Sequence, residues 1–463
     1  MDIKKLINKR LTTLLLSGCT LLMCGALIIK TGSKNSIEIN YSVKTGTTDG
    51  LMFGGNNYGF STKTISDMHK KAGFNVARYD SWINDIVPAT TISDYKKNVS
   101  GIQNPKMWHW ERIDNDLNIL NASGFKILLI INYCPLWLAS AEQAHNKNIN
   151  AVPMDWAVYE DIVKKVYQHI QSKVYAIEVW NEPDSGLKVE GSSYQNAVSA
   201  YTDLYYHTAK PIRAINSSIK IGGPAVANTY DTEYYNALLN DKRLKNLFDF
   251  YSYHFYGVQK PGNITLLKKL AALKGRPNFP IYITEWNYSA AYNKDPMNTN
   301  AYEAIPFIGN TLINQLKESP SMSILYCMDD YKKADNFYTM DANGVLVPKV
   351  SVINLMSVNL GLGAGINTIV KSNCLGSING VGAVNHAGKM VVCLVNEDGG
   401  NKYVDINLKQ SSIYGKKTVS IYFAAKGSKF GMYKNTTVTF KNGKATIRNF
   451  NIPGNSVAGL KIN

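Results

Sequence analysis

The chain alternates eight times, between residues 51 and 361, between a short apolar run typical of a strand and an amphipathic run typical of a helix. Near-continuous apolar runs such as 125–132 are expected for strands that are buried on both faces. The predicted strands are 51–55, 74–79, 125–132, the stretch 176–185 with its regular pairing ending at Pro183, 220–225, 248–255, 281–284 and 322–328. The predicted helices are 64–72, 110–123, 155–172, 194–215, 232–239, 264–273, 300–317 and 350–361.

Eight such units predict an α/β protein with a closed (β/α)8 TIM barrel. A doubly wound open sheet is the alternative. It usually has fewer units, and no glycine-rich phosphate loop opens the first helix here.

A different pattern begins after residue 365, where short alternating segments predict a C-terminal antiparallel β-sandwich. These segments are 390–395, 404–408, 418–423, 436–440, 445–447 and 457–462, and Asn442-Gly443 is a hairpin signal. The early segment 37–43 is a candidate to pair with them. The predicted domains are therefore 1–30 (signal peptide or membrane anchor), 31–48 (linker and N-terminal strand), 49–362 (catalytic barrel) and 363–463 (sandwich).

The first thirty residues resemble an export segment. Four basic residues within the first ten positions precede an apolar run over 11–29, which approaches the ~20 residues that span a bilayer. Leu16-Ser17-Gly18-Cys19 also resembles a lipobox, with Cys19 as the lipidated residue. An uncleaved anchor, a lipoprotein and plain secretion stay open, and each places the body of the protein outside the cytoplasm.

The net charge of +16 could favour an anionic polysaccharide, a membrane surface or nucleic acid. The lysines are scattered and no zinc-finger, RRM or helix-turn-helix pattern occurs, so no nucleic-acid partner is expected. No His/Cys spacing indicates a metal site, and no cofactor is expected. Cys134 and Cys327 are predicted buried thiols, whereas Cys374 and Cys393 are a candidate disulfide pair.

Two predicted strands end in a glutamate. The fourth runs into Trp180-Asn181-Glu182-Pro183, where the proline ends regular strand pairing, and the seventh runs into Thr284-Glu285-Trp286-Asn287. Barrel enzymes carry their chemistry at the carboxyl ends of their strands. Retaining glycosidases need two carboxyl groups about 5 Å apart across the scissile bond. A lone strand-end glutamate is more often structural, but two in matched contexts predict a catalytic pair, Glu182 and Glu285.

These two motifs resemble the fourth-strand and seventh-strand motifs of glycoside hydrolase family 39. The resemblance extends over most of the barrel, through 75–78, 134–139 and 248–256. It implies that Glu182 is the general acid/base with a raised pKa and that Glu285 is the nucleophile. It also implies three supporting roles. Asn181 would bind the sugar 2-hydroxyl, Arg78 would orient Glu285 and keep it ionised, and His254 or Tyr256 would bind Glu285 or the sugar.

Aromatic side chains are abundant, with 29 Tyr and 7 Trp, and their ring faces suit sugar binding. The candidate platforms are Trp82, Trp108, Trp110, Trp137 and Trp286. Members of the family tend to carry a tryptophan on the eighth strand. This chain has Tyr326 there, followed by Asp329 and Asp330 at the rim, so the resemblance does not define the sugar.

The sequence thus predicts a retaining glycoside hydrolase that cleaves O-glycosidic bonds of a poly- or oligosaccharide through a glycosyl-enzyme. Its expected partner is the carbohydrate substrate, with the membrane as a further one through the N-terminal segment. Two alternatives stay open: a non-catalytic cell-surface carbohydrate-binding protein on a barrel scaffold, and a transglycosidase. Oligomeric state is left open.

Overall fold

The computed structural model describes residues 35–100, 108–228, 231–257, 262–288, 302, 304–328, 337–341, 343–427 and 433–463. The predicted leader, including Cys19, and the rim residues Asp329 and Asp330 lie outside these ranges. Of the helices within them, none has both the length and the apolar character needed to cross a membrane.

Eight parallel strands close into a barrel, which confirms the predicted fold. The first barrel strand pairs with the second and also with the eighth, so the sheet has no open edge. In chain order the barrel strands are β2 (Gly54–Asn57), β3 (Val76–Asp80), β4 (Lys126–Ile131), β5 (Ala176–Val179), β6 (Lys220–Val226), β7 (Phe250–Tyr256), β8 (Ile281–Asn287) and β9 (Met322–Leu325).

Within the described residues, seven helices connect successive barrel strands on the outside of the barrel, and an eighth follows β9. Their starts and ends follow local chemistry: the Thr62 side chain accepts a hydrogen bond from the Ile65 amide at the first helix start, and Gly73 ends that helix in the left-handed region. The helices are α1 (Lys63–Ala72), α2 (Glu111–Ala122), α3 (Trp156–Ile170), α4 (Ala197–Ile215), α5 (Glu233–Asn240), α6 (Asn263–Leu273), α7 (Ala304–Glu318) and α8 (Val350–Ile353), which continues as a π-helix over Asn354–Asn359. Shorter helical turns occupy Gly50–Met52, Ile83–Ile86, Ile92–Asp94, Tyr95–Val99, Leu136–Leu138, Ala141–His145, Pro183–Gly186 and Lys242–Leu244.

The first barrel strand begins later than predicted. The apolar pattern starts at Leu51, but Gly50–Met52 forms a helical turn and β2 begins at Gly54. Leu51 is buried with Val76, Leu128 and other side chains from the amino ends of the strands. The early apolar residues therefore close the bottom of the barrel rather than extend its strand.

The other strands form one curled nine-stranded sheet, the predicted C-terminal sandwich. Its strands are β1 (Asn35–Thr48), β10 (Asn367–Leu375), β11 (Asn379–Val384), β12 (Met390–Asn396), β13 (Lys402–Lys409), β14 (Gly415–Ala424), β15 (Tyr433–Phe440), β16 (Lys444–Ile452) and β17 (Ser456–Ile462). The strand order is β15-β14-β17-β12-β11-β10-β1-β13-β16. The early segment joins this sheet as predicted, antiparallel to β10 and parallel to β13. Because β1 is parallel to β13, the sheet is not the wholly antiparallel one that the sequence predicted.

One face of this sheet packs on the barrel and the other encloses a second core. Along β12, Val392 and Leu394 point into the sandwich core, whereas Val391 and Val395 belong to the barrel core. Helix α7 lies against the barrel-facing side of this sheet, so closely that a Cβ on Gly309 would come within 2.4 Å of Val457. The close approach explains a glycine in the middle of a helix.

The candidate disulfide does not form. Cys374 and Cys393 are both free thiols, on strands β10 and β12, which are separated by β11. Cys134 and Cys327 are buried free thiols, as predicted.

Candidate active site

Polar side chains from four barrel strands meet at the carboxyl end of the barrel. They come from β3, from the segment after β5, from β7 and from β8. Side chains alternate along a strand, so residues two apart point to the same side. The site is therefore built on strand ends and on the short segment that follows β5.

Arg78 is the centre of the hydrogen-bond network and is only 1% exposed. Its Nε donates to Glu178 Oε2 at 2.6 Å, and its Nη1 donates to Glu285 Oε1 at 2.6 Å and to Asn56 Oδ1 at 3.1 Å. Its Nη2 donates to Asn181 Oδ1 at 2.7 Å. One guanidinium thus fixes Glu285 and Asn181, both of which the sequence predicted for the site.

Glu178 is a site residue that the sequence analysis missed. It is fully buried on β5 and forms an ion pair with Arg78. A carboxylate inside an apolar strand is costly unless a partner compensates its charge. The isolated charge within Ala176–Val179 is the signal that could have identified it.

Glu285 is 7% exposed, and both of its carboxylate oxygens accept hydrogen bonds. Arg78 donates to Oε1, and the Tyr256 hydroxyl donates to Oε2 at 2.6 Å. His254 Nδ1 lies 3.6 Å from the same Oε2. These donors fix the carboxylate and stabilise its negative charge.

Glu182 lies just beyond β5 with a left-handed backbone (φ 47°), at the start of the turn Pro183–Gly186. Its amide donates to the Ala225 carbonyl, and its side chain is 30% exposed. His254 Nδ1 lies 2.8 Å from its Oε1. The carboxylate is thus held on one side by a buried histidine and is open on the other.

The resemblance implied a raised pKa for Glu182, and the structure gives the opposite direction. Burial alone raises the pKa of this carboxyl, but the His254 hydrogen bond and the charges of His254 and Arg78 outweigh it and hold the pKa below its usual range. The reason is that the resting site places the His254 ring beside Glu182 and the Arg78 charge near it before any substrate excludes water. Glu182 is therefore ionised at neutral pH in this geometry.

The two glutamates are close enough to act together. One carboxylate oxygen of Glu182, one of Glu285 and a ring nitrogen of His254 all lie within 4.8 Å of one another. Such a trio can also ligate a divalent cation. Here, however, Arg78 already supplies a positive charge to Glu285, and Tyr256 occupies its second oxygen. The separation suits retaining glycoside hydrolysis better than metal binding.

The prediction that Trp286 is a sugar platform is wrong. It is 1% exposed, and its indole N–H donates to Ser323 Oγ at 2.8 Å. The cause is the strand alternation on β8, because Glu285 points into the barrel and its neighbour therefore points out toward α7. Trp286 is a core residue and cannot contact a sugar in this arrangement.

The remaining tryptophans divide into two groups. Trp108 and Trp110 are largely buried and stack on each other with ring centres 5.2 Å apart. Trp137, on the turn after β4, is half-buried and stacks on Tyr95 at 5.7 Å. Trp82, after β3, is half-buried beside Tyr133 at 6.2 Å. Trp82 and Trp137 keep the exposure that a platform needs.

Tyr326 lies within the site, directly after β9. Its ring centre is 6.1 Å from that of Tyr256 and 6.3 Å from that of Tyr58, and Phe337 lies 5.9 Å away. The Tyr58 hydroxyl is 3.3 Å from the Tyr326 hydroxyl. Tyr326 thus lies at the end of the eighth barrel strand, on which members of the family tend to carry a tryptophan.

Asp80 is a second residue that the sequence analysis did not assign. It ends β3, is 6% exposed, and its Oδ1 accepts from Asn132 Nδ2 at 2.6 Å. Burial raises the pKa of its carboxyl, although the Arg78 charge and the Asn132 hydrogen bond act against the rise. Its position directly after the predicted strand 74–79 is the sequence signal that could have identified it.

A closed barrel with paired glutamates beyond its fourth and seventh strands, joined through one buried arginine, defines the class of barrel glycosidases. The comparisons with known proteins agree with this class. The model of glycosyl hydrolases family 39 matches residues 41–338. The chain belongs to this family.

Related proteins and structures extend the comparison. A beta-xylosidase of Caldicellulosiruptor saccharolyticus is 25% identical over 279 residues, which cover 54% of this chain and 53% of that protein. The chain spans about half the length of the curated relatives it matches. A glucosidase structure from Croceicoccus marinus has a TM-score of 0.68 at 14% identity and covers 92% of this chain and 98% of its own. The GH39 enzyme of Xanthomonas axonopodis pv. citri has a TM-score of 0.67 at 16% identity, covering 94% and 98%. At these identities, the two structures show the fold.

Proposed function

We propose that the protein is a retaining glycoside hydrolase that cleaves O-glycosidic bonds of an oligo- or polysaccharide by double displacement. The observation that carries the proposal is the pair Glu182 and Glu285, with carboxylate oxygens within 4.8 Å of each other. This separation leaves no room for a water molecule to attack directly from the far side, as an inverting enzyme requires.

In the first step, Glu285 attacks the anomeric carbon and the bond to the leaving oxygen breaks. Arg78 and Tyr256 hold the attacking carboxylate in place. Glu182 gives a proton to the leaving oxygen. Because this carboxyl is ionised in the resting site, it takes up the proton when the substrate binds and excludes water, with His254 Nδ1 2.8 Å from its Oε1. The products are a glycosyl ester on Glu285 and the free alcohol.

In the second step, a water molecule attacks the same carbon. Glu182, now ionised, takes a proton from the water, the ester bond breaks, and Glu285 is released as a carboxylate. The oxygen of Asn181 accepts from Arg78, so its amide N–H groups are left to donate to the sugar 2-hydroxyl. Two inversions at one carbon give net retention of configuration.

Xylosides are the first substrates to test, because curated relatives are named as beta-xylosidases. We also propose that the protein acts outside the cytoplasm, exported by or attached through its N-terminal segment. The support is the basic start and apolar run within residues 1–30.

The test is a pair of variants, Glu182→Gln and Glu285→Gln, assayed on aryl β-glycosides with added azide. Both should lose hydrolysis, and the Glu182 variant should form a glycosyl azide of retained configuration, whereas the Glu285 variant should form one of inverted configuration. Glu142→Gln, at an exposed position, is the matched control and should keep full activity. Full activity in either site variant would refute the assignment. Binding without turnover in the wild type would favour the carbohydrate-binding alternative, and transfer to added acceptor sugars would favour the transglycosidase.

A further inference from the structure

A third carboxylate lies beside the proposed catalytic pair and has no part in the two chemical steps. Asp80 is two residues after Arg78 on β3, so both side chains point into the barrel, whereas Tyr79 between them points out to Asp116. The Asp80 carboxyl is close enough to Arg78 and Glu285 for their charges to influence it. It therefore belongs to the same cleft.

Asp80 is held in a fixed orientation. Asn132, which is fully buried, donates from Nδ2 to Asp80 Oδ1 at 2.6 Å and accepts at its own Oδ1 from the Trp82 amide at 3.3 Å. Among the described residues, no side chain or amide donates to Asp80 Oδ2. This oxygen is also absent from the enclosed polar atoms, so it opens to the cleft. A rigid acceptor thus faces the space in which the sugar would lie.

The charge of the cleft limits which sugars can bind beside Asp80. Four carboxyl groups, on Asp80, Glu178, Glu182 and Glu285, share the single guanidinium of Arg78, which already donates to four acceptors. Even if His254 is counted as a cation, these four carboxyl groups outnumber it and Arg78 together. The part of the cleft that the described residues form is therefore acidic, within a chain whose net charge is +16.

We propose that Asp80 determines which sugars the site takes: Oδ2 accepts hydrogen bonds from the hydroxyls of an uncharged glycone, and its negative charge excludes a glycone that carries a carboxylate. The half-buried rings of Trp82 and Tyr133 lie beside it and provide apolar surface for the same sugar. This inference rests on the proposed function, because it concerns the substrate of that same site.

The test is Asp80→Asn, compared with the wild type on matched aryl β-xyloside, β-glucoside and β-glucuronide. Asn132 Nδ2 donates to Oδ1, so the new amide must place its oxygen there and its N–H2 group toward the cleft. One acceptor becomes a donor without a change of volume. A lost hydrogen bond to a charged group lowers kcat/KM by about 10- to 100-fold for the neutral glycosides. The kcat/KM for the glucuronide should fall less than twofold or rise, so the ratio of kcat/KM between the neutral glycosides and the glucuronide should shift at least fivefold.

Asp116→Asn is the matched control, since it changes a buried carboxylate on helix α2 that accepts from Tyr79 on the outer side of β3. It should leave the ratio of kcat/KM between the neutral glycosides and the glucuronide unchanged. Thermal unfolding shows whether each variant is folded. An unchanged ratio in the Asp80 variant, or a wild type that prefers the glucuronide, would overturn the inference. No turnover of any glycoside by the wild type would instead count against the proposed function. NMR titration with glucose and glucuronate then tests Asp80 without turnover, and equal affinity changes for both sugars would overturn its role.

Discussion

Replacing Arg78 with methionine should separate what this residue does for stability from what it does for the reaction. The substitution keeps much of the side-chain length and removes hydrogen bonds to four acceptors. It leaves two carboxylates, on Glu178 and Glu285, without their cation. Both lie in the interior, where an unpaired charge is poorly solvated.

The expected loss of stability follows from the cost of breaking a buried ion pair. Removing one partner of such a pair costs about 3–5 kcal/mol. The unfolding entropy of proteins is about 2.1 cal/mol/K per residue, which gives roughly 1 kcal/mol/K for a chain of this size. We therefore expect Tm to fall by about 3–5 °C if unfolding is a single transition. Turnover should fall by at least a thousandfold, because Glu285 loses its orienting donor and Asn181 loses its anchor.

A second variant, Arg78→Met combined with Glu178→Gln, makes the prediction sharper. It removes the uncompensated charge of Glu178, so about half of the lost stability should return. Activity should not return, because Glu285 still lacks its donor. Differential scanning calorimetry measures the recovered stability, and initial rates on an aryl β-xyloside measure the activity.

The reasoning would be refuted by a single variant as stable as the wild type, since the buried pair would then contribute nothing. It would also be refuted by a double variant no more stable than the single one. Recovery of turnover together with stability would show that Arg78 acts on the reaction only through folding.

Three further predictions concern the same site. Tyr256→Phe removes the donor to Glu285 Oε2 and should lower kcat by about 10- to 100-fold with little change in KM, measured by steady-state kinetics. His254→Phe removes the donor that lowers the pKa of Glu182, so the alkaline limb of the kcat/KM profile should move to higher pH; a limb that stays in place would contradict this. The raised pKa of Asp80 means that its folded state binds the proton more tightly, so its contribution is favourable at low pH and is lost as pH rises from about 4. Urea unfolding should accordingly show the Asp80→Asn variant gaining stability relative to the wild type between pH 4 and 7.

The barrel could be predicted from the sequence because several of its strands, such as Lys126–Ile131, are near-continuous apolar runs and its helices carry clear stop signals such as Gly73. The strands β10 and β11 were missed because their patterns are less regular. In β11, Gly380 and Gly382 stand where an added Cβ would meet Leu394 and Ile39, so close packing removed the side chains on which a prediction depends.

Part of the site could also be predicted, because some of its residues occupy strand ends. Glu182 and Glu285 stand at strand ends, where sequence position indicates a role. Glu178 and Asp80 were not assigned, because their roles depend on partners that are distant in the chain, Arg78 for Glu178 and Asn132 for Asp80. Trp286 was misassigned because a tryptophan next to a site residue points to the opposite side of its strand. The lowered pKa of Glu182 likewise depends on His254, which is 72 residues away in the chain.

The position of β1 has a consequence for synthesis of the chain. This strand leaves the ribosome first, yet its two neighbours in the sheet, β10 and β13, begin at Asn367 and Lys402. At about 5–20 residues per second, β1 spends roughly 20–70 s as an unpaired strand while the whole barrel is translated. Ile37 and Ile39, which end fully buried, are exposed to other chains during that interval. A chain shortened to begin at residue 49 would lack β1 and would leave β10 and β13 as permanently open edges of the sheet.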